Sequence, residues 1–262
     1  MRIPIYQVDA FTNKVFGGNP AAVCPLENWL PDEVLQKIAM ENSLAETAFF
    51  ISANDGFEIR WFTPEIEMDL CGHATLATGH VIIRHLNSDL KTIKFHSRSG
   101  VLMVTVDKDL LTLDFPTRKP EPSTDIPQVI LDAIKVKPLE ILKARDYVLV
   151  YEDEETIHNI RPDQGIMNQI NIDPGGVVVT APGREVDFVS RFFTPQASIF
   201  EDPVTGSAHC SLIPYWSERL GKSSLLALQI SPRIGKLFCK NAGERVLISG
   251  EAVTYMEGYI TV

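Results

Sequence analysis

No part of this chain is strongly basic, and no part is apolar for long. Lys and Arg number 24 against 34 Asp and Glu, a formal charge of −10. Without a run of basic residues the chain lacks the electrostatic footprint of a nucleic-acid binder. Its first residues, Met1-Arg2-Ile3-Pro4-Ile5-Tyr6-Gln7-Val8, carry no long apolar stretch of the signal-peptide kind. Nor does any uninterrupted apolar run reach the roughly 18 residues that suggest a membrane span. Cysteine is sparse. Cys24, Cys71, Cys210 and Cys239 are scattered with no C-x-x-C pair, so zinc and dithiol chemistry are not indicated and no metal is expected. Reduced thiols in a cytoplasmic protein are the plain expectation. A serine-hydrolase reading of Ser207, His209 and Asp202 also fails. There is no G-x-S-x-G, and residues two apart on a helix point about 200° from one another.

What the chain has is ordinary globular material, 262 residues with 45% hydrophobic and 22% charged side chains. That is enough for one large domain or two of usual size. Above that background it says the same thing twice. Arg60-Trp61-Phe62-Thr63-Pro64 precedes Cys71-Gly72-His73-Ala74, and Arg191-Phe192-Phe193-Thr194-Pro195 precedes Thr205-Gly206-Ser207-Ala208. Ser97 to Gly100 is echoed by Ser231 to Gly235. Three matches in order argue for two copies of one structural unit. Each copy sets a small-residue turn before an apolar segment of helical length, and two such turns facing each other would build one site.

Pro116, Pro120, Pro122 and Pro127 fall near the chain midpoint. Proline locks φ and removes a ladder donor, so this stretch reads as the connection between an N-terminal lobe, 1–117, and a C-terminal lobe, 118–262. The last strand could pair with the N-terminal lobe. Val101 to Val106 and Leu111 to Phe115 alternate as a hairpin around Asp107-Lys108-Asp109. Strands are expected again at 236–240, 245–249 and 252–262, with 241–244 and Glu257-Gly258 as turns. Helices are expected at 31–41 and 125–136. The segment 74–86 is apolar around most of its wheel and therefore reads as a buried helix. Its partner, 208–220, ends at Gly221 and contains Pro214, which predicts a kink or an early break. The fold class that fits is α+β, two pseudo-symmetric lobes, each a curved and mostly antiparallel sheet wrapped around a buried central helix.

The two helix starts carry the chemistry. A first helical turn presents unpaired N–H groups and a partial positive charge, and glycine lets a ligand come close. Gly72-His73 and Gly206-Ser207 thus suit a carboxylate or an enolate-like oxygen, although either could be an ordinary tight turn. Glu46 lies in Leu44-Ala45-Glu46-Thr47-Ala48-Phe49-Phe50-Ile51, a strand apolar on both faces. A carboxylate there is paired, or has a raised pKa suited to taking and giving a proton, or reaches solvent at the strand end. Asp202 stands just before the second helix start, where it could orient His73, hold a ligand amine, or simply make an Asp-Pro turn. Cys71 could be acidified by the helix start or be a small packed residue. His80, Arg84 and His85 lack metal-helix spacing and read as surface or lobe-interface residues.

Several of these blocks carry a family resemblance: Phe16-Gly17-Gly18-Asn19-Pro20-Ala21-Ala22-Val23, Leu44 to Phe49, Arg60 to Pro64, Leu70-Cys71-Gly72-His73-Ala74-Thr75, and Glu201-Asp202-Pro203-Val204-Thr205-Gly206-Ser207-Ala208-His209. In this order they resemble the PhzF (phenazine biosynthesis-like) family over essentially the whole chain. The resemblance implies a diaminopimelate-epimerase-like fold and a cofactor-free isomerase in which a glutamate shuttles a proton. Glu46 looks like that acid/base, with His73, Asp202 and Ser207 as companions. Gly72 and Gly206 would give backbone donors, and Asn19 would contact the substrate, a small-molecule acid. The family is commonly dimeric, so a homodimer is implied. Related epimerases flank the stereocentre with two cysteines, whereas here Cys71 faces Thr205 in the alignment of the copies. Two rival expectations remain: an amino-acid racemase or epimerase using Cys71, and a non-catalytic small-molecule-binding dimer.

Overall fold

In the computed structural model, which describes residues 1–172 and 175–262, the chain forms two compact units. One comprises Met1–Phe115 with Leu247–Val262, the other Pro116–Val246. The first unit begins with β1 (Arg2–Ala10) and β2 (Asn19–Pro25), followed by α1 (Asp32–Asn42), β3 (Glu46–Ala53) and β4 (Gly56–Phe62). Next come β5 (Glu67–Met68), α2 (Gly72–Val81), β6 (Thr92–Ser97), β7 (Gly100–Asp107) and β8 (Leu110–Pro116). β1 and β2 are antiparallel, β2 and β3 parallel, β3 and β4 antiparallel. β4 then pairs antiparallel with β5 and parallel with β6, and β6, β7 and β8 form a meander. The parallel pair β4–β6 needs a crossover, and α2 supplies it.

The second unit contains β9 (Glu121–Pro122), α3 (Gln128–Ile134), β10 (Glu140–Lys143), β11 (Tyr147–Val150), α4 (Glu154–Asn159) and α5 (Gln164–Met167). It continues with β12 (Val177–Pro182), β13 (Phe188–Phe193), β14 (Glu201–Asp202), α6 (Gly206–Leu220), β15 (Ser224–Gln229) and β16 (Gly235–Asn241). Its pairings repeat those of the first: β10 antiparallel to β11, β11 parallel to β12, β12 antiparallel to β13. β13 pairs antiparallel with β14 and parallel with β15, and β15 is antiparallel to β16. Here α6 is the crossover. Each unit has its own apolar core, one around Leu35, Phe49 and Phe62, the other around Ile134, Val179 and Phe193. The chain closes with β17 (Arg245–Gly250) and β18 (Ala252–Thr261), and β18 lies antiparallel along β1 from Arg2 opposite Thr261 to Ala10 opposite Ala252.

The repeated words now have a physical meaning. Arg60, on β4, holds Glu67, on β5, through two bonds of 2.7 Å. Arg191, on β13, holds Glu201, on β14, through bonds of 2.7 and 2.8 Å. In both units this fork pins the two-residue strand that feeds the helix start. The loop between arginine and glutamate is three residues longer in the second unit, which is why the two copies drift out of register between Arg and Gly.

α2 is buried at every residue from Gly72 to Val81, as its apolar wheel requires. Its buried hydroxyls turn back onto their own helix, Thr75 onto the Cys71 carbonyl and Thr78 onto that of Ala74. Gly79 packs closely there, since a Cβ would stand 3.0 Å from Leu111 Cδ2 and that side chain would have to shift. The regular helix ends at Val81, and a π-helical turn, Ile82–Leu86, replaces the rest of the expected span.

Four expectations are corrected. α6 runs through Pro214 to Leu220 without a break. The carbonyl of Cys210, four residues before Pro214, accepts instead from the backbone N–H of Arg118 at 3.0 Å. The donor that proline removes is thus replaced from another part of the chain. Glu257-Gly258 is no turn but lies within β18, where Gly258 pairs with Ile5. His80 is a buried residue, bonded through Nε2 to Thr254 Oγ1 at 3.0 Å, and burial pushes its pKa down to about 4. The helix expected at 125–136 is the shorter α3, because Pro127 occupies its N-cap position and Lys135 its left-handed C-cap.

Candidate active site

In the first unit, Asn19, Glu46, Cys71 and His73 come together around one imidazole ring. Three separate stretches of sequence deliver them. Asn19 opens β2 after a turn in which Phe16 N–H donates to the buried Asp9 carboxylate at 2.8 Å. Gly18 in that turn has φ +56°, and a Cβ would fall 2.0 Å from the Ala10 carbonyl oxygen, so only glycine fits. Glu46 begins β3, in parallel register with Ala21. Cys71 caps α2 and His73 lies in its first turn.

The ring is gripped on both nitrogens. Asn19 Nδ2 donates to His73 Nδ1 at 3.1 Å, and the Cys71 sulfur lies 3.6 Å from the same nitrogen. On the other edge, Glu46 Oε2 stands 3.1 Å from Nε2. That pair is at ion-pair distance but off the hydrogen-bond line. Among the described residues neither Glu46 Oε2 nor His73 Nε2 has a hydrogen-bond partner, although both atoms are buried. Such atoms are costly to leave unsatisfied, and they mark where an outside group would complete the arrangement.

Charge follows from this placement. Burial opposes an imidazolium at His73, while its neighbours Cys71 and Glu46 favour one, and the balance holds the His73 pKa well above the usual range. The Cys71 thiol is pushed up to about 11 by burial and by the charge of Glu46. Cys71 is therefore a neutral thiol near pH 7, and the charge that favours the imidazolium is the Glu46 carboxylate. Asn19 serves either ring state: its amide donates to a bare Nδ1 and, turned over, accepts from a protonated one.

Glu46, Cys71 and His73 offer atoms within 4.8 Å of one another, a spacing a metal ion could bridge. The shortest approaches fall on different ring nitrogens, however. Glu46 sits at Nε2 and Cys71 at Nδ1, opposite sides of the ring, and an ion takes only one of those nitrogens. The arrangement is that of a carboxylate and an imidazole at ion-pair distance.

In the second unit the helix start is built differently. Buried Gln229 staples the turn before α6: its Oε1 accepts from Thr205 N–H at 2.8 Å and its Nε2 donates to the Asp202 carbonyl at 2.8 Å. Asp202 accepts from the Thr205 hydroxyl. Ser207, half-buried in the first turn of α6, accepts from Arg145 Nη2 at 2.8 Å. Arg145 is locked in turn by Asp146, through bonds of 3.0 and 3.1 Å. Asp146 is 1% exposed and also accepts from Gly176 N–H at 3.0 Å. His209 turns away from Ser207 into the core, its Nδ1 donating to the Thr205 carbonyl at 2.9 Å, and burial lowers its pKa to about 4.

Both helix starts lack an acid in the first turn and a side-chain cap, so Gly72 and Gly206 each open a turn whose positive end is not neutralised from within. Arg145, Asp146 and Gln229 were not legible as site residues. Each meets its partner across tens of residues, and no periodicity or motif signals such a contact.

The family model described as phenazine biosynthesis-like protein matches residues 8–258. An uncharacterized isomerase of Pseudomonas aeruginosa is 50% identical over 258 residues, 98% of each chain. A second uncharacterized isomerase of the same organism is 46% identical over 99% of each chain. Among solved structures, a phenazine biosynthesis protein of the PhzF family from Enterococcus faecalis superimposes with a TM-score of 0.95 at 47% identity, covering 100% of both chains. No helix among the described residues is long and apolar enough to cross a membrane.

Proposed function

We propose, from the premise that the chain belongs to the phenazine biosynthesis-like family and is an isomerase, that Glu46 carries a proton between carbons of a small carboxylate-bearing metabolite. The supporting observation is the buried pair of Glu46 Oε2 and His73 Nε2, 3.1 Å apart and each without a hydrogen-bond partner among the described residues. A carboxylate held against an imidazole can accept a proton from carbon. The electron pair released moves onto a conjugated substrate oxygen, where the N–H groups at Gly72 and His73 hold the developing charge. Glu46 then returns the proton to a second carbon, and the bond order shifts with it. Nothing in this cycle changes oxidation state, so it calls for no cofactor.

Asp202, Ser207 and the Gly206 backbone enter the scheme as companions on the strength of the sequence block that carries them. Asn19 positions His73 and offers its amide to the substrate. A small-molecule acid as substrate, a homodimer and a cytoplasmic setting belong to the same reading. The racemase alternative is disfavoured by Cys71, whose neutral thiol faces the imidazole.

The test is solvent exchange. The protein is incubated in D2O with a panel of small carboxylic acids, and carbon-bound hydrogen is followed by proton NMR. At least one acid should take up deuterium and isomerise, and Glu46→Gln should slow this by about 100-fold or more. An isomerised acid whose exchange is the same in Glu46→Gln would refute the assignment.

A further inference from the structure

Ser207 Oγ is bonded to a group that can only give protons. Guanidinium has five N–H donors and no acceptor, so the 2.8 Å bond from Arg145 Nη2 consumes a lone pair of the serine oxygen. The serine hydrogen is not used in that bond and must be directed elsewhere. Arg145 has little freedom to release it. Its Nε and Nη2 are forked onto Asp146, and Asp146 is itself buried and tied to the Gly176 backbone. Gly176 is fixed by packing: a Cβ would stand 2.3 Å from the ring of Phe192. The chain from the Phe192 ring to Gly176, Asp146, Arg145 and Ser207 is thus a stack of rigid contacts ending in one hydroxyl.

We infer that Arg145, locked by Asp146, is a positioning residue that makes Ser207 a fixed and polarised hydrogen-bond donor to an acceptor oxygen on the substrate. This deepens the proposed function, since it rests on Ser207 serving that reaction, and it leaves the serine hydrogen free to point at the substrate. The specificity follows from the chemistry. A donor hydroxyl beside a fixed cation selects a carboxylate or carbonyl oxygen and rejects an ammonium or an amide N–H. His209 cannot take over the role, because its ring is fully buried and its Nδ1 is bonded to the Thr205 carbonyl.

The experiment uses a thiol as reporter of the field at position 207. Ser207→Cys is made in the full chain and titrated by thiolate absorbance and by the pH dependence of iodoacetamide alkylation. The native thiols are all buried, and those of Cys71 and Cys210 are raised to about 11, so they stay silent near neutrality. The reporter should titrate below the ordinary thiol value of about 8.5. Adding Arg145→Gln should raise it by about one unit, leaving about tenfold less thiolate at pH 7. Arg145→Lys, which keeps the charge and loses the fork, should fall between. The helix end is common to all three, so the difference isolates Arg145.

Identical titrations with arginine, lysine and glutamine at 145 would overturn the inference. If Arg145→Gln fails to fold by circular dichroism, the lysine comparison decides alone, with an unshifted titration counting against the proposal. The two readings fail separately. Loss of Glu46 dependence would remove the proposed reaction and leave this titration standing, whereas a flat titration would remove the role of Arg145 and leave Glu46 untouched.

Discussion

Cutting the Arg191–Glu201 fork should damage the second unit more than the same cut in the first damages the first. Arg191 has 8% of its side chain exposed and directs Nη1 at the carbonyls of Ile157 and Ile160, at 3.1 and 2.7 Å. Glu201→Gln leaves this cation buried with no carboxylate, a change that costs about 3 to 5 kcal/mol. Arg60 is placed less severely, with 17% exposure and a second acid, Asp32, at 2.9 Å. Glu67→Gln removes its charge-assisted bonds but leaves Asp32 in place, a loss of about 1.5 to 3 kcal/mol. Equilibrium urea unfolding measures both. Trp29 and Trp61 lie in the first unit and Trp216 in the second, so single-tryptophan backgrounds assign each transition to its unit. A Glu67→Gln loss equal to or larger than the Glu201→Gln loss would refute the burial argument. The paired replacement Arg191→Met with Glu201→Leu should recover much of the stability, because it removes the stranded charge along with its partner.

Two further outcomes follow from the buried histidines. The His73 ring, followed by NMR of its Cε1–H, should titrate above the usual histidine range and move down in Glu46→Gln. Its folded pKa is raised, so its contribution to stability is present in full below the unfolded value and is lost as pH rises through the folded one. An unshifted titration in Glu46→Gln would mean that the carboxylate does not hold the imidazolium. His80 and His209 have the opposite sign. Their folded values are near 4, so the unfolded chain binds more protons between about 6.5 and 4, and stability falls as pH drops through that window. His80→Gln with His209→Gln should flatten the slope of stability against pH there, even if it lowers the whole curve, and an unchanged slope would place the acid sensitivity elsewhere.

The duplicated blocks were legible because a repeated supersecondary unit repeats its turn chemistry. Thr-Pro, the small-residue turn and the apolar helix are short-range features. Glu46 stood out as an acid in a strand apolar on both faces, and His73 as a side chain in the first turn of a buried helix. The second half was less legible. Arg145-Asp146 reads as a charged pair before a strand, and nothing local says that Asp146 is nearly wholly buried or that Arg145 reaches residue 207. Pro214 misled for the same reason, since its consequence depended on a donor at Arg118.

Sequence alone thus made the α+β class, the repeated blocks and the family legible and singled out Asn19, Glu46 and His73 as candidates, because period, composition and turn chemistry act over a few residues. Tertiary structure decided what those residues do to one another. The raised pKa of His73, the raised Cys71 thiol and the Arg145–Ser207 bond depend on burial and on partners brought from distant positions. Desolvation and hydrogen-bond direction arise only once the chain has closed around them.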